Sequence, residues 1–184
     1  MKKLAVLMGL ALLLLWNGCG NSAPTNNITT STSGYWEATL FGGTGQTSLM
    51  DFVVQFSVTD TTGQPNRPLS ITGFSFFNAG QCFTPGENQQ TVSGTATLTT
   101  ASTGDVTGTL NLSITALNSG TQLAFTNTSL TGTSNGTTTT TGTLSGGVVV
   151  GNWTLTPGTG VTGCSTPANP TFIMCQGAAT CTAP

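Results

Sequence analysis

The chain has 184 residues, of which 36% are hydrophobic and only 4% are charged, and its formal net charge is −2 at pH 7. The length fits one domain, and the hydrophobic fraction excludes the disordered class, which combines low hydrophobicity with high net charge. Arg67 is the only cationic residue after position 3, so the clustered Lys and Arg residues that a nucleic-acid partner requires are missing.

The N-terminal segment has the organisation of an export signal. Two lysines form a positive end, and an apolar run over residues 4–15 follows. This run is shorter than the roughly 20 apolar residues that span a bilayer. It is followed closely by Gly18, Cys19 and Gly20. We therefore predict a signal peptide over residues 1–18.

The segment resembles the signals of bacterial lipoprotein precursors, in which a small residue and then a cysteine follow the apolar run. Gly18 and Cys19 match that pattern, whereas Trp16 and Asn17 stand where the family commonly has Leu and then Ala, Ser or Thr. The resemblance implies cleavage before Cys19 and a diacylglyceryl group on its sulfur. It also implies a stable anchor, because a second acyl chain makes membrane attachment lasting. Gly20, in place of Asp, implies delivery to the outer membrane of the cell envelope.

Two other outcomes remain open for this signal. Ordinary signal-peptidase cleavage after Gly20 would release a secreted protein, and an uncleaved segment would remain as an anchor. If Cys19 is lipidated, residues 19–33 form the lipidated N-terminus and a flexible tether that is rich in Thr, Asn and Ser. Residues 34–184 then form a single domain whose C-terminal tail is clipped by a disulfide.

After the tether, apolar residues alternate with polar ones, which is the pattern of half-buried β-strands. In the segment after residue 68 the phase of this alternation changes across Gly73, which predicts a β-bulge at that position. The longest stripe of alternating apolar residues consists of Val106, Leu110, Leu112 and Ile114. The polar residues between them are Thr107, Thr109, Asn111 and Ser113. We expect the first set to be buried and the second to face solvent.

Turn-forming residues recur along the whole domain, and Asn135-Gly136 suits a tight hairpin turn. We therefore predict an all-β fold, an antiparallel up-and-down meander of about eight to ten strands. A barrel, similar in outline to lipocalins and avidins, is favoured over a sandwich. The reason is that Gly94 and Gly108 fall on apolar strand faces, where glycines allow sharp bends or close approach.

Four cysteines remain when Cys19 is set aside, an even number for an oxidising compartment. A metal site is the alternative, but the chain has no histidine and no CxxC-like spacing. We predict two disulfides. Three pairings are possible, of which we favour Cys82 with Cys164 as a long-range link and Cys175 with Cys181 as a local clip.

The chain lacks the residues on which most enzymatic mechanisms depend. Without histidine, and without lysine after position 3, hydrolytic triads and lysine nucleophiles are missing. Glu37 and Asp51 lie on the polar faces of adjacent predicted strands and could serve as the paired carboxylates of a carbohydrate-active enzyme. Two solvated carboxylates are the ordinary alternative. We predict that the protein is not an enzyme and uses no cofactor and no metal.

Five aromatic residues lie on the apolar faces of the predicted strands. They are Trp36, Phe52, Phe56, Phe125 and Trp153. Core packing explains them, and an apolar cavity for a small ligand, as in lipocalins, is the alternative.

Together, these features predict a non-catalytic, lipid-anchored cell-envelope protein with a binding or structural role. A lipocalin-like carrier of a small apolar ligand and a carbohydrate-active enzyme are the alternatives. The expected partners are the membrane, through the N-terminal lipid, and either a small apolar ligand or another envelope protein.

Overall fold

The computed structural model describes residues 30–42, 48–60, 66–85, 89–136 and 141–177. Within these ranges no residue is helical and 71% of the residues lie in strands, so the predicted all-β class is confirmed. The ten strands are β1 (Thr30–Thr32), β2 (Tyr35–Gly42), β3 (Ser48–Asp60), β4 (Arg67–Pro68), β5 (Ser70–Asn78), β6 (Gln90–Thr100), β7 (Asp105–Ala116), β8 (Gln122–Ser134), β9 (Gly142–Thr156) and β10 (Pro170–Gln176).

Three predictions fall outside the part of the chain that the structure describes. They are the signal peptide, the lipidation of Cys19 and the contribution of Cys181 to the second disulfide. In the described part, no helix is long and apolar enough to cross a membrane.

A ring of five strands closes the predicted barrel. β3, β2, β10 and β9 are successive antiparallel neighbours, and β1 completes the ring by pairing antiparallel with β3 and parallel with β9. The sheet then continues from β9 through β8, β7 and β6 to β4. Between β4 and β5 the amide of Leu69 donates to the carbonyl oxygen of Gly94 (2.9 Å), and β5 pairs with β3. Residues 67–78, which contain β4 and β5, therefore connect β6 to β3.

The strand directions define two ends of the barrel. At one, which we call the N-terminal end, β1 contacts the end of β6 through a hydrogen bond between the hydroxyls of Thr30 and Thr100. The last residue of β10, Gln176, also lies there and donates from its side-chain amide to the carbonyl oxygen of Ser33 (3.2 Å). The segments that follow β5, β7 and β9 lie at the opposite end, which we call the disulfide end.

The apolar strand faces meet in one core. All four members of the stripe on β7 are at most 2% exposed, whereas the polar residues between them are exposed or half-buried. This contrast confirms the predicted alternation. Pairing of β3 with β5 confirms the predicted bulge as well: Gln55 lies opposite Gly73 and Phe56 opposite Ile71, so Thr72 is the extra residue.

The glycines on the apolar faces of β6 and β7 allow backbones to approach closely, as predicted. A Cβ on Gly108 would overlap the carbonyl group of Thr97 on β6, and one on Gly94 would overlap the carbonyl oxygen of Asn111 on β7. Larger residues at these two positions would push β6 and β7 apart.

The prediction of a tight hairpin at Asn135-Gly136 is wrong. β8 ends at Ser134 and β9 begins at Gly142, so residues 135–141 connect them. A tight turn requires the two strands to pair up to the turn itself. Here the first residues of β9, Gly142 and Thr143, pair in parallel with β1. The pairing with β8 begins only at Leu144.

The predicted boundary between tether and domain also changes. The sequence predicts a flexible tether up to residue 33, whereas residues 30–32 form β1. Thr30 and Thr32 are 1% and 0% exposed. Threonine is β-branched and suits a strand, and the pairing with β3 and β9 provides its backbone partners. Composition alone suggested a linker because this strand has no apolar residue.

Candidate functional site

The five predicted aromatic residues are all buried, at 0–3% exposure. They belong to one core cluster. Trp36 stacks on Phe56 with ring centroids 5.4 Å apart, and Phe52 contacts Phe125 edge-on at 5.8 Å. These contacts are those of a packed interior. Trp153, in addition, lines a cleft at the disulfide end.

This cleft is half-open and has a volume of about 280 Å³. It lies between the start of β3, the end of β9 and the two loops that the disulfide joins. Its lining residues are Leu49, Met50, Gly80, Gln81, Cys82, Trp153, Leu155, Gly163 and Ser165. The cleft thus combines apolar walls from two strands with small and polar residues from two loops.

A disulfide between Cys82 and Cys164 ties these loops together, with the Cα atoms 5.6 Å apart. This pair confirms the favoured long-range link. Phe83, the residue after Cys82, is buried in the core at 7% exposure. The loop after β5 is therefore also held by packing against the core. Cys175 is buried in β10 at 7% exposure, and its predicted pairing with Cys181 stays a prediction.

Hydrogen bonds fix the β9 wall of the cleft. The indole Nε1 of Trp153 donates to the carbonyl oxygens of Phe41 on β2 and Thr171 on β10, at 3.0 Å each. The hydroxyl of Thr166 accepts from the amide of Leu155 (2.7 Å) and donates to its carbonyl oxygen (3.1 Å). The loop after β9 is therefore held at two positions, to the strand by Thr166 and to the loop after β5 by Cys164.

A second, more open depression of about 390 Å³ lies over β6, β7 and β8. Its lining includes the polar side chains of Ser93, Thr95, Asn111 and Ser113. The pairing of β7 with β8 is interrupted there, between Gly108 and Ser113. The depression follows from this irregular stretch of sheet and offers hydroxyl and amide groups, and none of its described lining residues is charged.

The two candidate carboxylates lie on neighbouring strands, as predicted. Glu37 on β2 is opposite Val53, and Asp51 on β3 is opposite Thr39, which makes them diagonal neighbours, a relation in which Cα atoms are about 7–8 Å apart. The hydroxyl of Ser48 donates to Asp51 Oδ2 (2.6 Å). Neither carboxylate lines the cleft. Among the residues that the structure describes, no three His, Cys, Asp or Glu side chains are grouped as a metal site would require.

Comparison with known proteins gives no significant match to a family model, a curated protein or a solved structure.

Most of the cleft residues were not singled out in the sequence. Leu49 and Met50 stand at the start of a strand, and Gln81 and Ser165 are loop residues. One signal could have found part of the site: the favoured disulfide between Cys82 and Cys164 brings the residues beside each cysteine together. The contribution of β3 could not be found in this way.

Proposed function

We propose that this protein is a non-catalytic lipoprotein of the bacterial cell envelope, anchored through Cys19, whose barrel has a binding or structural role. The observation that carries it is the Gly18-Cys19 pair that closely follows the apolar run of the signal. Outer-membrane delivery, which Gly20 suggests, belongs to the same proposal.

The position of β1 limits how far the barrel can lie from the proposed anchor. Thr30 follows Cys19 by only eleven positions. Because an extended residue spans at most about 3.6 Å, eleven residues reach at most about 40 Å. A lipid on Cys19 would therefore hold the N-terminal end of the barrel near the bilayer. The disulfide end, with its cleft, is the opposite end of the barrel, and a tether of this length leaves it accessible to a ligand or partner.

The charge of the chain supports acyl chains as the means of attachment. After residue 19 the chain has one cationic residue, Arg67. Attraction to anionic lipid requires several clustered basic residues. Membrane attachment of this protein therefore depends on lipid, and we expect it to resist high salt and to yield to detergent.

The test is a Cys19→Ser substitution with Ser22→Ala as the matched control in the same segment. Wild type and control should incorporate labelled palmitate, lose residues 1–18 and remain in the membrane fraction after a high-salt wash. Cys19→Ser should incorporate no label and retain the signal peptide. If Cys19→Ser is matured and fractionates as wild type does, the protein is exported by ordinary cleavage and the lipoprotein proposal fails.

A further inference from the structure

We infer that the cleft at the disulfide end is a ligand-binding site and that it takes a small, uncharged, apolar molecule. This inference rests on the binding role proposed above and adds the site and the class of ligand. It also moves the expected ligand from the barrel interior, which the aromatic residues fill, to the barrel end.

The chemistry of the lining indicates the class of ligand. Leu49, Met50 and Leu155 supply apolar walls together with Trp153, and none of the described residues that line the cleft is charged. An ionic group placed there would lose its hydration without gaining a partner, which is costly. The side chains of Gln81 and Ser165 line the cleft and can form one or two hydrogen bonds with a polar end of the ligand.

The size of the cleft limits the ligand. Pockets for drug-sized molecules enclose roughly 300–1,000 Å³, and this one, at about 280 Å³, lies just below that range. A single aromatic or alicyclic group, or a short hydrocarbon chain, fits such a volume. A folded protein partner would contact only its rim.

The cleft is formed before any ligand arrives. Trp153 is held by two hydrogen bonds, and the loops are joined by Cys82 and Cys164. Residues that are already fixed lose little conformational entropy on binding, which favours affinity. This rigidity distinguishes the cleft from a loop surface that would have to order itself around a ligand.

Three of the exposed large apolar side chains among the described residues lie at the same end of the barrel as the cleft. Among the described residues, the large apolar side chains that are exposed are Tyr35, Leu49, Phe77, Leu117 and Val150. Leu49 is 40% exposed and lines the cleft, while Phe77 and Leu117 are 67% and 61% exposed and stand where β5 and β7 reach the disulfide end. An exposed apolar side chain beside a cleft, as Leu49 is, is available to contact an apolar ligand.

The experiment uses the mature protein with its disulfides intact and, as the probe, the uncharged fluorophore 1-aminonaphthalene, which is a single aromatic group with one polar end. We expect saturable binding of one probe molecule per chain. In a ¹⁵N–¹H spectrum, the indole signal of Trp153 should shift on titration, while that of Trp36, which lies at 0% exposure near the N-terminal end, should not. The two indole signals thus locate the probe.

Two variants test the cleft directly. Ser165→Phe places a large side chain among the lining residues and should weaken probe binding at least tenfold, and Leu49→Gln, which makes one wall polar, should weaken it severalfold. The matched control is Ser102→Phe, at an exposed position in the turn before β7, which should bind as wild type does.

The inference is overturned if wild type shows no saturable binding, or if both cleft variants bind the probe as tightly as wild type. In the second case the probe occupies another surface, such as that around Phe77 and Leu117. A shift of the Trp36 signal instead of the Trp153 signal would place the probe in the barrel interior and would also overturn it. Palmitate labelling is measured separately, so failure of the cleft and failure of the lipid anchor are distinguishable.

Discussion

Replacing Leu110 by alanine tests whether β7 lines a packed barrel. Leu110 is 0% exposed, and the residue opposite it on β6 is Ala96, also buried at 1% exposure. The substitution removes three carbon groups, worth about 0.8 kcal/mol each in lost transfer free energy. Ala96 is too small to fill the space that remains, so a cavity penalty adds to this loss. We expect the free energy of unfolding to fall by about 3–5 kcal/mol.

The assay is a urea or guanidinium denaturation curve for each variant under non-reducing conditions. The control is Thr107→Ala, which lies on the opposite, exposed face of the same strand and should change the free energy of unfolding by no more than about 0.5 kcal/mol. A helix would place residues 107 and 110 on the same face, and a disordered segment would bury neither, so neither predicts this contrast. Equal losses for the two variants, or a larger loss for Thr107→Ala, would refute the placement of β7.

Three further predictions concern stability. Replacing both Cys82 and Cys164 by alanine should lower the free energy of unfolding by about 4–5 kcal/mol on the chain-entropy model, because the bond links residues 82 positions apart; a loss below about 1 kcal/mol in denaturation curves would contradict this. Gly108→Ala should cost about 1–3 kcal/mol in the same assay, because its Cβ would overlap the β6 backbone. A chain starting at Thr30 should be as stable as the full mature protein, whereas one starting at Gly34 lacks β1 and should be less stable by about 2 kcal/mol or more. Equal melting of the two truncated chains would show that β1 is dispensable.

The strands themselves were predictable because period-2 alternation is a local property of the sequence. β7 is the clearest case, since its apolar stripe runs through most of the strand. The bulge beside Gly73 was predictable for the same reason: both phases of the alternation are visible on either side of it. Burial of Trp36 and Trp153 follows from the same pattern.

The partners of the strands were not predictable, because alternation determines the face of a residue and not its neighbour. β10 lies between β2 and β9, and its pairing with β2 joins segments about 130 positions apart in sequence, as in the contact of Phe172 with Leu40. β1 consists of Thr, Ser and Thr and has no apolar stripe to detect. Because the first two residues of β9 pair with β1 and not with β8, the tight hairpin predicted at Asn135-Gly136 does not form.

The cleft was not predictable for the same reason, because it is formed by segments that are distant in sequence. Its walls come from β3 and β9, and its loops are brought together by the disulfide. The predicted cysteine pair pointed to the loops, but the aromatic stripe pointed to the barrel interior. Only Trp153 belongs to both sets, because it stands near the disulfide end of β9, where the core meets the cleft.

The intact mass of the protein isolated from the cell envelope tests the proposed anchor most directly. We predict a chain that begins at Cys19, carries a diacylglyceryl group and an additional acyl chain, and is lighter by the four hydrogens lost in two disulfides. After digestion, the acyl groups should map to the peptide that contains Cys19. A chain that begins at Asn21 without acyl groups, or one that retains residues 1–18, would contradict lipid anchoring through Cys19.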